Sequence, residues 1–165
     1  MNYSYRKAHW YSLASVVFVG DQAAKTYIDV AWPLGWAFEV TGFFNLVHVL
    51  NPGAAFSFLA GAGGWQRWFF LAIALGASLW LIRLLSRPLR RLEALSYSLI
   101  LGGALGNAFD RAIRGQVIDY LDFHAGGWHW PAFNIADTAI VGGAIALVLL
   151  SLMSADKQPA PKEAR

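Results

Sequence analysis

The sequence predicts a mainly α-helical membrane protein, with four transmembrane helices and a small β element on one side of the membrane. The 165 residues are 57% hydrophobic and only 14% charged, which is too little charge to cover a soluble globule of that size. Four apolar runs are each long enough, at about 1.5 Å per helical residue, to cross a hydrocarbon layer about 30 Å thick. Tryptophans lie close to the ends of these runs, as they do in interfacial belts.

The composition also excludes several classes of function. The net charge of +3 is modest, and the basic residues form no aromatic-interleaved stripe of the kind that nucleic-acid binding requires. The chain has no cysteine, and therefore no thiol nucleophile, disulfide or thiolate metal site. Three histidines, His48, His124 and His129, lack the HExxH spacing of zinc proteases. We therefore expect no nucleic-acid partner, no metal and no organic cofactor.

The first predicted span covers about residues 10–28 and follows Arg6 and Lys7. It does not read as a cleaved signal peptide, because its apolar stretch ends at Asp21 without a small-residue cleavage pattern. The second span covers about residues 65–85 and ends in a basic turn. Both are long enough to cross the membrane.

The third predicted span, about residues 92–112, contains glycine and alanine at a spacing that allows close helix contact. The fourth covers about residues 135–153 and has no charge after Asp137. We expect residues 1–154 to form a single integral membrane domain. Residues 155–165, with two prolines and mixed charge, are expected to form a disordered cytoplasmic tail.

Basic residues determine the expected orientation. With four spans, both termini and the loop between spans two and three share one side, which carries nine of the thirteen basic residues. That side is predicted to be cytoplasmic. Residues 31–64 and 114–132 then lie outside. β-Branched and aromatic residues in the first of these segments, with a turn at Asn51, predict a small sheet resting on the membrane.

Polar side chains gather at the predicted outer ends of the spans, where lipid-facing helices tolerate few. They are Asp21 and Lys25 on span one, Asn107 and Arg111 on span three, Asp119 in the connecting segment, and Asn134 and Asp137 at the start of span four. Singly, each has an ordinary explanation: Asp21 and Lys25 can form an ion pair, Arg111 can be a snorkelling cation, and Asn134 can cap the helix that follows it. Together they indicate a buried polar site at the outer boundary of the membrane.

Two carboxylates outside any metal-binding pattern predict acid–base chemistry of the aspartic-peptidase type. Two carboxylates held close together cannot both ionise, so they share one proton. Asp137 is one member, because a helix start determines its position. Asp119 is favoured over Asp122 because apolar neighbours can bury it, and over Asp110 because Asp110 can pair with Arg114.

Other functions stay open on the residues alone. A small proton-coupled transporter subunit would also carry acids within the membrane, although here they cluster at one face and no second half repeats the first. A noncatalytic scaffold would make the polar cluster incidental. A dyad of Ser57 and Lys25 is disfavoured because Asp21 pairs with the lysine and keeps it charged.

Five short motifs, in order over residues 21–138, resemble those of the lipoprotein signal peptidases, the signal peptidase II family. The motifs are Asp21-Gln22 with Lys25, Asn51-x-Gly53-Ala54-Ala55-Phe56-Ser57, Gly106-Asn107-Ala108-Phe109-Asp110-Arg111, Val117-Ile118-Asp119-Tyr120 and Phe133-Asn134-Ile135-Ala136-Asp137. The resemblance covers most of the chain.

The resemblance implies four transmembrane helices, a periplasmic β-cradle at about residues 31–64, and an aspartic endopeptidase of the bacterial inner membrane. Such an enzyme removes the signal peptide of a prolipoprotein ahead of a diacylglyceryl-modified cysteine. Its partners are then lipid-modified prolipoproteins and membrane lipid, and we expect it to act as a monomer. By the same resemblance the catalytic pair is Asp119 and Asp137. The residues that hold the site or the substrate are Asp21, Lys25, Asn51, Asn107, Arg111 and Asn134.

Overall fold

The structure, a computed structural model, describes residues 3–53, 59 and 61–155. It is mostly helical, with one small antiparallel sheet. The helices are α1 (Tyr3–Ala31), α2 (Gln66–Leu85), α3 (Arg91–Ile113) and α4 (Ile135–Ala155). The strands are β1 (Ala37–Thr41), β2 (Phe44–Asn51), β3 (Val117–Ala125) and β4 (Trp128–His129). The predicted tail from residue 156 onward and residues 54–57 of the second motif lie outside the described residues.

Three of the four helices begin and end within a few residues of the predicted spans, and α1 is longer than its span of about residues 10–28. By length and composition, two helices among the described residues can cross a membrane, at Gln66–Leu85 and Ile135–Met153. Charged side chains lower the hydropathy of α1 and α3. Four of them, Asp21, Lys25, Asp110 and Arg111, are buried inside the protein.

Helix α3 is the centre of the bundle and packs against α1, α2 and α4. Small residues allow these close contacts. A Cβ atom added at Gly102 would lie 2.6 Å from the carbonyl oxygen of Ala14 on α1, and one at Gly103 would collide with the carbonyl oxygen of Ala136 on α4. The small-residue spacing predicted such an approach, and it brings the polar ends of the three helices together.

The sheet has the order β1-β2-β3-β4 and extends beyond the predicted cradle at residues 31–64. Strand β3, from the second segment that was predicted to lie outside, pairs with β2 through Val117 opposite Asn51 and Asp119 opposite Val49. Residues 117–120 are all buried, so β3 lacks the polar–apolar alternation by which a half-exposed strand is recognised. Because β3 lies between α3 and α4 in the chain, it carries Asp119 to the C-terminal end of α3 and the N-terminal end of α4.

Candidate active site

The start of α4 is held by three side chains. The first N–H groups of a helix have no partner within the helix. Here the N–H of Ile135 donates to the Tyr120 hydroxyl at 3.3 Å, that of Ala136 to Asp21 Oδ1 at 2.9 Å, and that of Asp137 to Asn134 Oδ1 at 2.9 Å. The predicted capping role of Asn134 is confirmed. Elements α1, β3 and the cap thus determine where the Asp137 carboxylate lies.

The Asp137 side chain is partly exposed, and Asn107 of α3 holds it from one side. Asn107 Nδ2 donates to Asp137 Oδ1 at 2.7 Å. The other end of the same amide, Oδ1, accepts from Lys25 Nζ at 2.9 Å. An ammonium group has only donors, so Lys25 can contact the amide oxygen alone and thereby turns the NH₂ group of Asn107 toward Asp137.

Lys25 is completely buried, and two carboxylates neutralise it. Its ammonium lies 2.8 Å from Asp21 Oδ2 and 3.0 Å from Asp110 Oδ2, and both acids are also fully buried. The predicted pairing of Asp21 with Lys25 is confirmed. Asp110 in turn bonds Arg114 at 2.6 Å, as the sequence predicted. This buried charge network lies directly behind Asn107 and the start of α4.

Asp119 is almost completely buried, with 2% of its surface exposed. Asn51, at the end of β2, donates to its Oδ2 at 3.0 Å, and Asn134 donates to its Oδ1 at 2.7 Å. Burial, and to a smaller extent the negative charge of Asp137, raise the pKa of Asp119 to about 7, against the lowering effect of the two amides.

One side chain joins the two aspartates. Asn134 donates from Nδ2 to the Asp119 carboxylate and accepts at Oδ1 from the backbone N–H of Asp137. Its Nδ2 also lies 3.4 Å from Asn107 Oδ1. The structure therefore brings Asp119 and Asp137 together with Asn51, Asn107 and Asn134.

Asp122 belongs to a different cluster. It is three residues beyond Asp119 on β3, and residues three apart on a strand point to opposite faces of the sheet. Its carboxylate accepts from Asn45 Nδ2 at 2.9 Å and contacts His129 Nδ1 at 2.9 Å. Asp119 therefore shares the Asn134 amide with Asp137, whereas Asp122 bonds Asn45 and His129.

Arg111 lies beside the pair and reaches the turn that follows β2. Its Nη2 donates to the Gly53 carbonyl at 2.7 Å and its Nη1 to the Asn107 carbonyl at 3.3 Å. Arg111 is 8% exposed. Its Nε is buried and has no hydrogen-bond partner among the described residues.

Sequence reasoning did not select three members of the network as site residues: Gln22, Asp110 and Arg114. Gln22 Nε2 donates to Asp21 Oδ2, the Gly106 carbonyl and Asp110 Oδ1, each at 3.1 Å. Asp110 also accepts from the backbone N–H of Ile118 at 3.3 Å, which attaches the start of β3 to α3. The sequence signals were the place of Gln22 and Asp110 inside the quoted motifs and the spacing of Arg114 four residues after Asp110.

A model of the family described as Signal peptidase (SPase) II matches residues 13–153 of the chain. Curated proteins match as well. The chain is 52% identical over 142 residues to proteins named "Lipoprotein signal peptidase" from Burkholderia thailandensis and Burkholderia vietnamiensis, and the match covers 86% of this chain and 86% of each relative.

Solved structures agree with this family assignment. A bacterial membrane enzyme determined by the in meso method at 2.3 Å resolution superposes with a TM-score of 0.81 at 29% identity, covering 96% of this chain and 95% of that one. A second, at 1.9 Å resolution, gives a TM-score of 0.76 at 30% identity, covering 88% of this chain and 93% of the other.

Proposed function

Because the chain belongs to the signal peptidase II family, we propose that it removes the signal peptide from lipid-modified prolipoproteins with Asp119 and Asp137 as its catalytic pair. Membership of this family makes the protein a membrane protease. The aspartic catalytic mechanism is what we propose in addition. The single observation that carries it is the Asn134 amide, bonded to the carboxylate of one aspartate and the backbone of the other. The relatives are peptidases, so the alternative of a proton-coupled transporter has no support.

The proposed reaction needs one proton on the pair. Ionised Asp137 takes a proton from water as its oxygen attacks the scissile carbonyl carbon, while protonated Asp119 donates to the carbonyl oxygen. In the second step Asp137 gives its proton to the leaving nitrogen, the C–N bond breaks, and Asp119 recovers a proton from the intermediate. The pair returns to its starting state, with one peptide bond hydrolysed by one water.

Two observations support this division of roles. The raised pKa of Asp119, about 7, keeps that carboxyl protonated at moderately acid pH. Asp137 is partly exposed, accepts a hydrogen bond from Asn107, and lies in the first turn of α4, where the helix dipole favours negative charge. The buried acid is therefore the donor and the more open one the base.

The remaining predicted residues have supporting roles in the proposal. Asn51, Asn107 and Asn134 orient the two carboxylates. Asp21 and Lys25 fix the start of α4 and the direction of the Asn107 amide. Arg111, whose guanidinium bonds the Gly53 carbonyl beside the pair, meets an acceptor on the substrate, either a backbone carbonyl or an oxygen of the lipid group.

We predict that the alkaline limit of activity moves when Asn51 is changed. Activity should fall as pH rises through about 7, because Asp119 then loses its proton, and the observed limit belongs to the pair. The Asn51 amide lowers the pKa of Asp119, so Asn51→Leu should raise that pKa and shift the alkaline limit of kcat to higher pH. The measurement is kcat of the remaining activity across pH 5 to 9.

Asn45→Leu is the matched control for this pH profile. Asn45 is on the same strand and its amide bonds Asp122 at 2.9 Å, so its loss should leave the limit where it is. An alkaline limit that moves equally in both variants, or moves to lower pH in Asn51→Leu, contradicts the protonated role of Asp119.

Lipidation of the substrate should act mainly by holding the scissile bond at the membrane depth of the aspartate pair. A pair at the outer ends of the helices reaches a bond held at that depth, and burial of acyl chains, at about 0.8 kcal/mol per methylene, holds the cleavage site there. We expect the purified protein to cleave a diacylglyceryl-modified preprolipoprotein at least about 100-fold faster than its unlipidated form. The assay is a gel shift in the same vesicles, and equal rates would show that the enzyme reads peptide sequence alone.

The proposed topology is multi-pass in the bacterial inner membrane, with all four helices crossing, both termini cytoplasmic and the pair on the periplasmic side, in a protein that acts as a monomer. Nine basic residues on the inner side support it. A phosphatase that is active only in the periplasm should be active when it is inserted between Gly126 and Gly127. It should be inactive when it is fused after Lys157. Activity at the second position would overturn this orientation.

A further inference from the structure

The outer end of α3 is completed by a side chain from another helix. The last carbonyl groups of a helix lack partners within it, and the N–H of Gly115, four residues after Arg111, bonds the Asp110 carbonyl instead. Arg67, in the first turn of α2, supplies the donors: its Nε donates to the Arg111 carbonyl at 2.6 Å and its Nη2 to the Ala112 carbonyl at 2.9 Å.

Arg67 fits this place in shape as well as in charge. A planar guanidinium can donate to two neighbouring oxygens at once, whereas the ammonium of a lysine acts as a single point. The guanidinium carbon lies 4.6 Å from the ring centroid of Trp68. Gly115 has a φ of +87°, and a Cβ atom there would lie 3.4 Å from Arg67 Nη1, so glycine provides both the turn and the room.

Residues in the first turns of α2 contact both the backbone carbonyl and the guanidinium group of Arg111. Arg67 bonds its carbonyl, and the ring of Phe70, one turn further along, lies 5.2 Å from its guanidinium carbon. The guanidinium itself reaches the Gly53 carbonyl, in the turn whose N–H bonds Asn51 Oδ1 at 3.0 Å. Asn51 then bonds Asp119, which links α2 to the proposed pair through Arg111.

We infer that Arg67, aided by Phe70, is a positioning residue that aims Arg111 at the substrate. The inference rests on the proposed function, in which Arg111 meets the substrate. Arg67 itself contacts the backbone of α3 and so acts only through its neighbour. Loss of the Arg67 side chain should weaken substrate binding by Arg111 and leave the acid–base pair intact.

The kinetic test compares Arg67→Met, Arg67→Lys and the control Arg83→Met in the full chain, purified and supplied with a diacylglyceryl-modified preprolipoprotein. Losing two charge-assisted hydrogen bonds should lower kcat/KM about tenfold in Arg67→Met, mainly through KM. Arg67→Lys should recover part of the loss. Arg83 is exposed in the last turn of the same helix, and its variant should match the wild type. A fall in kcat at unchanged KM, or no fall at all, overturns the inference.

Repeating Arg67→Met in a protein that already carries Arg111→Ala separates an effect transmitted through Arg111 from a general disturbance of the structure. If Arg67 acts through Arg111, Arg67→Met should change kcat/KM less than about twofold in a protein that already carries Arg111→Ala. A tenfold fall in that background too would show that Arg67 acts independently of Arg111 and would overturn the inference.

A third measurement needs no substrate. Hydrogen exchange of the amides of Arg114 and Gly115, both bonded to the Asp110 carbonyl, should become about tenfold faster in Arg67→Met because the last turn of α3 frays. Unchanged exchange would overturn the claim that Arg67 holds this end. Wild-type protein that cleaves nothing would count against the proposed function alone, and the exchange result would still decide whether Arg67 secures α3.

Discussion

Asp119→Asn and Asp137→Asn should each lower kcat for cleavage of a lipidated preprolipoprotein by about 10³-fold or more, since an amide keeps the volume but can neither hold nor pass the shared proton. KM should change little, because neither carboxylate is assigned to bind the substrate. Both variants should unfold at nearly the wild-type temperature. The measurement is a single-turnover gel shift with purified protein.

Asp122→Asn is the matched control for these two variants. Asp122 is on the same strand as Asp119 and is also buried, at 7% exposure, but it bonds Asn45 and His129. Its variant should retain most of the activity. An inactive Asp122→Asn beside an active Asp119→Asn would show that the wrong partner has been assigned to Asp137.

Lys25→Met should cause the largest loss of stability of any substitution considered. The ammonium lies within 3.0 Å of Asp21 and Asp110, with all three side chains fully buried. Removing one partner of a buried ion pair costs about 3–5 kcal/mol, because a charge is left uncompensated. Arg114 still pairs with Asp110, so Asp21 is the acid that is stranded. The free energy of unfolding in detergent is the quantity to measure.

A double variant tests the reason for that loss. Asp21→Asn combined with Lys25→Met removes the stranded charge, while an amide oxygen can still accept from the N–H of Ala136. It should recover part of the lost stability. Arg83→Met, at an exposed site, should change the free energy of unfolding by less than about 0.5 kcal/mol. Lys25→Met as stable as the wild type would contradict the buried charge network.

Local contacts were predictable from the sequence because they lie within one or two helical turns. The residues of the pairs Asp21–Lys25 and Asp110–Arg114 are each four positions apart. The capping residue Asn134 accepts a hydrogen bond from the N–H of Asp137, three positions later. The four helices followed from apolar length, and the burial of Asp119 from the apolar residues beside it.

Contacts between distant segments were not predictable from spacing. The pairing of β2 with β3, the orientation of the Asn107 amide by Lys25, and the bond from Arg67 to the end of α3 join residues 44 to 82 positions apart. Residues 117–120 of β3 are buried on both faces of the sheet, so periodicity does not reveal this strand. Family resemblance, rather than physical pattern, led to Asn51 as a site residue, whereas Arg111 was selected by its place at the end of a predicted span.

The most direct test of the shared proton is the infrared carbonyl band of protonated carboxyl groups in purified protein, followed as pH is raised. In the wild type one such band should disappear around pH 7, the pKa given to Asp119 by burial and by the Asp137 charge. That band should be missing from Asp119→Asn, and in Asp137→Asn it should disappear at lower pH because the neighbouring negative charge is gone. A band that persists unchanged in Asp119→Asn, or that titrates at the wild-type pH in Asp137→Asn, would contradict the proposed pair.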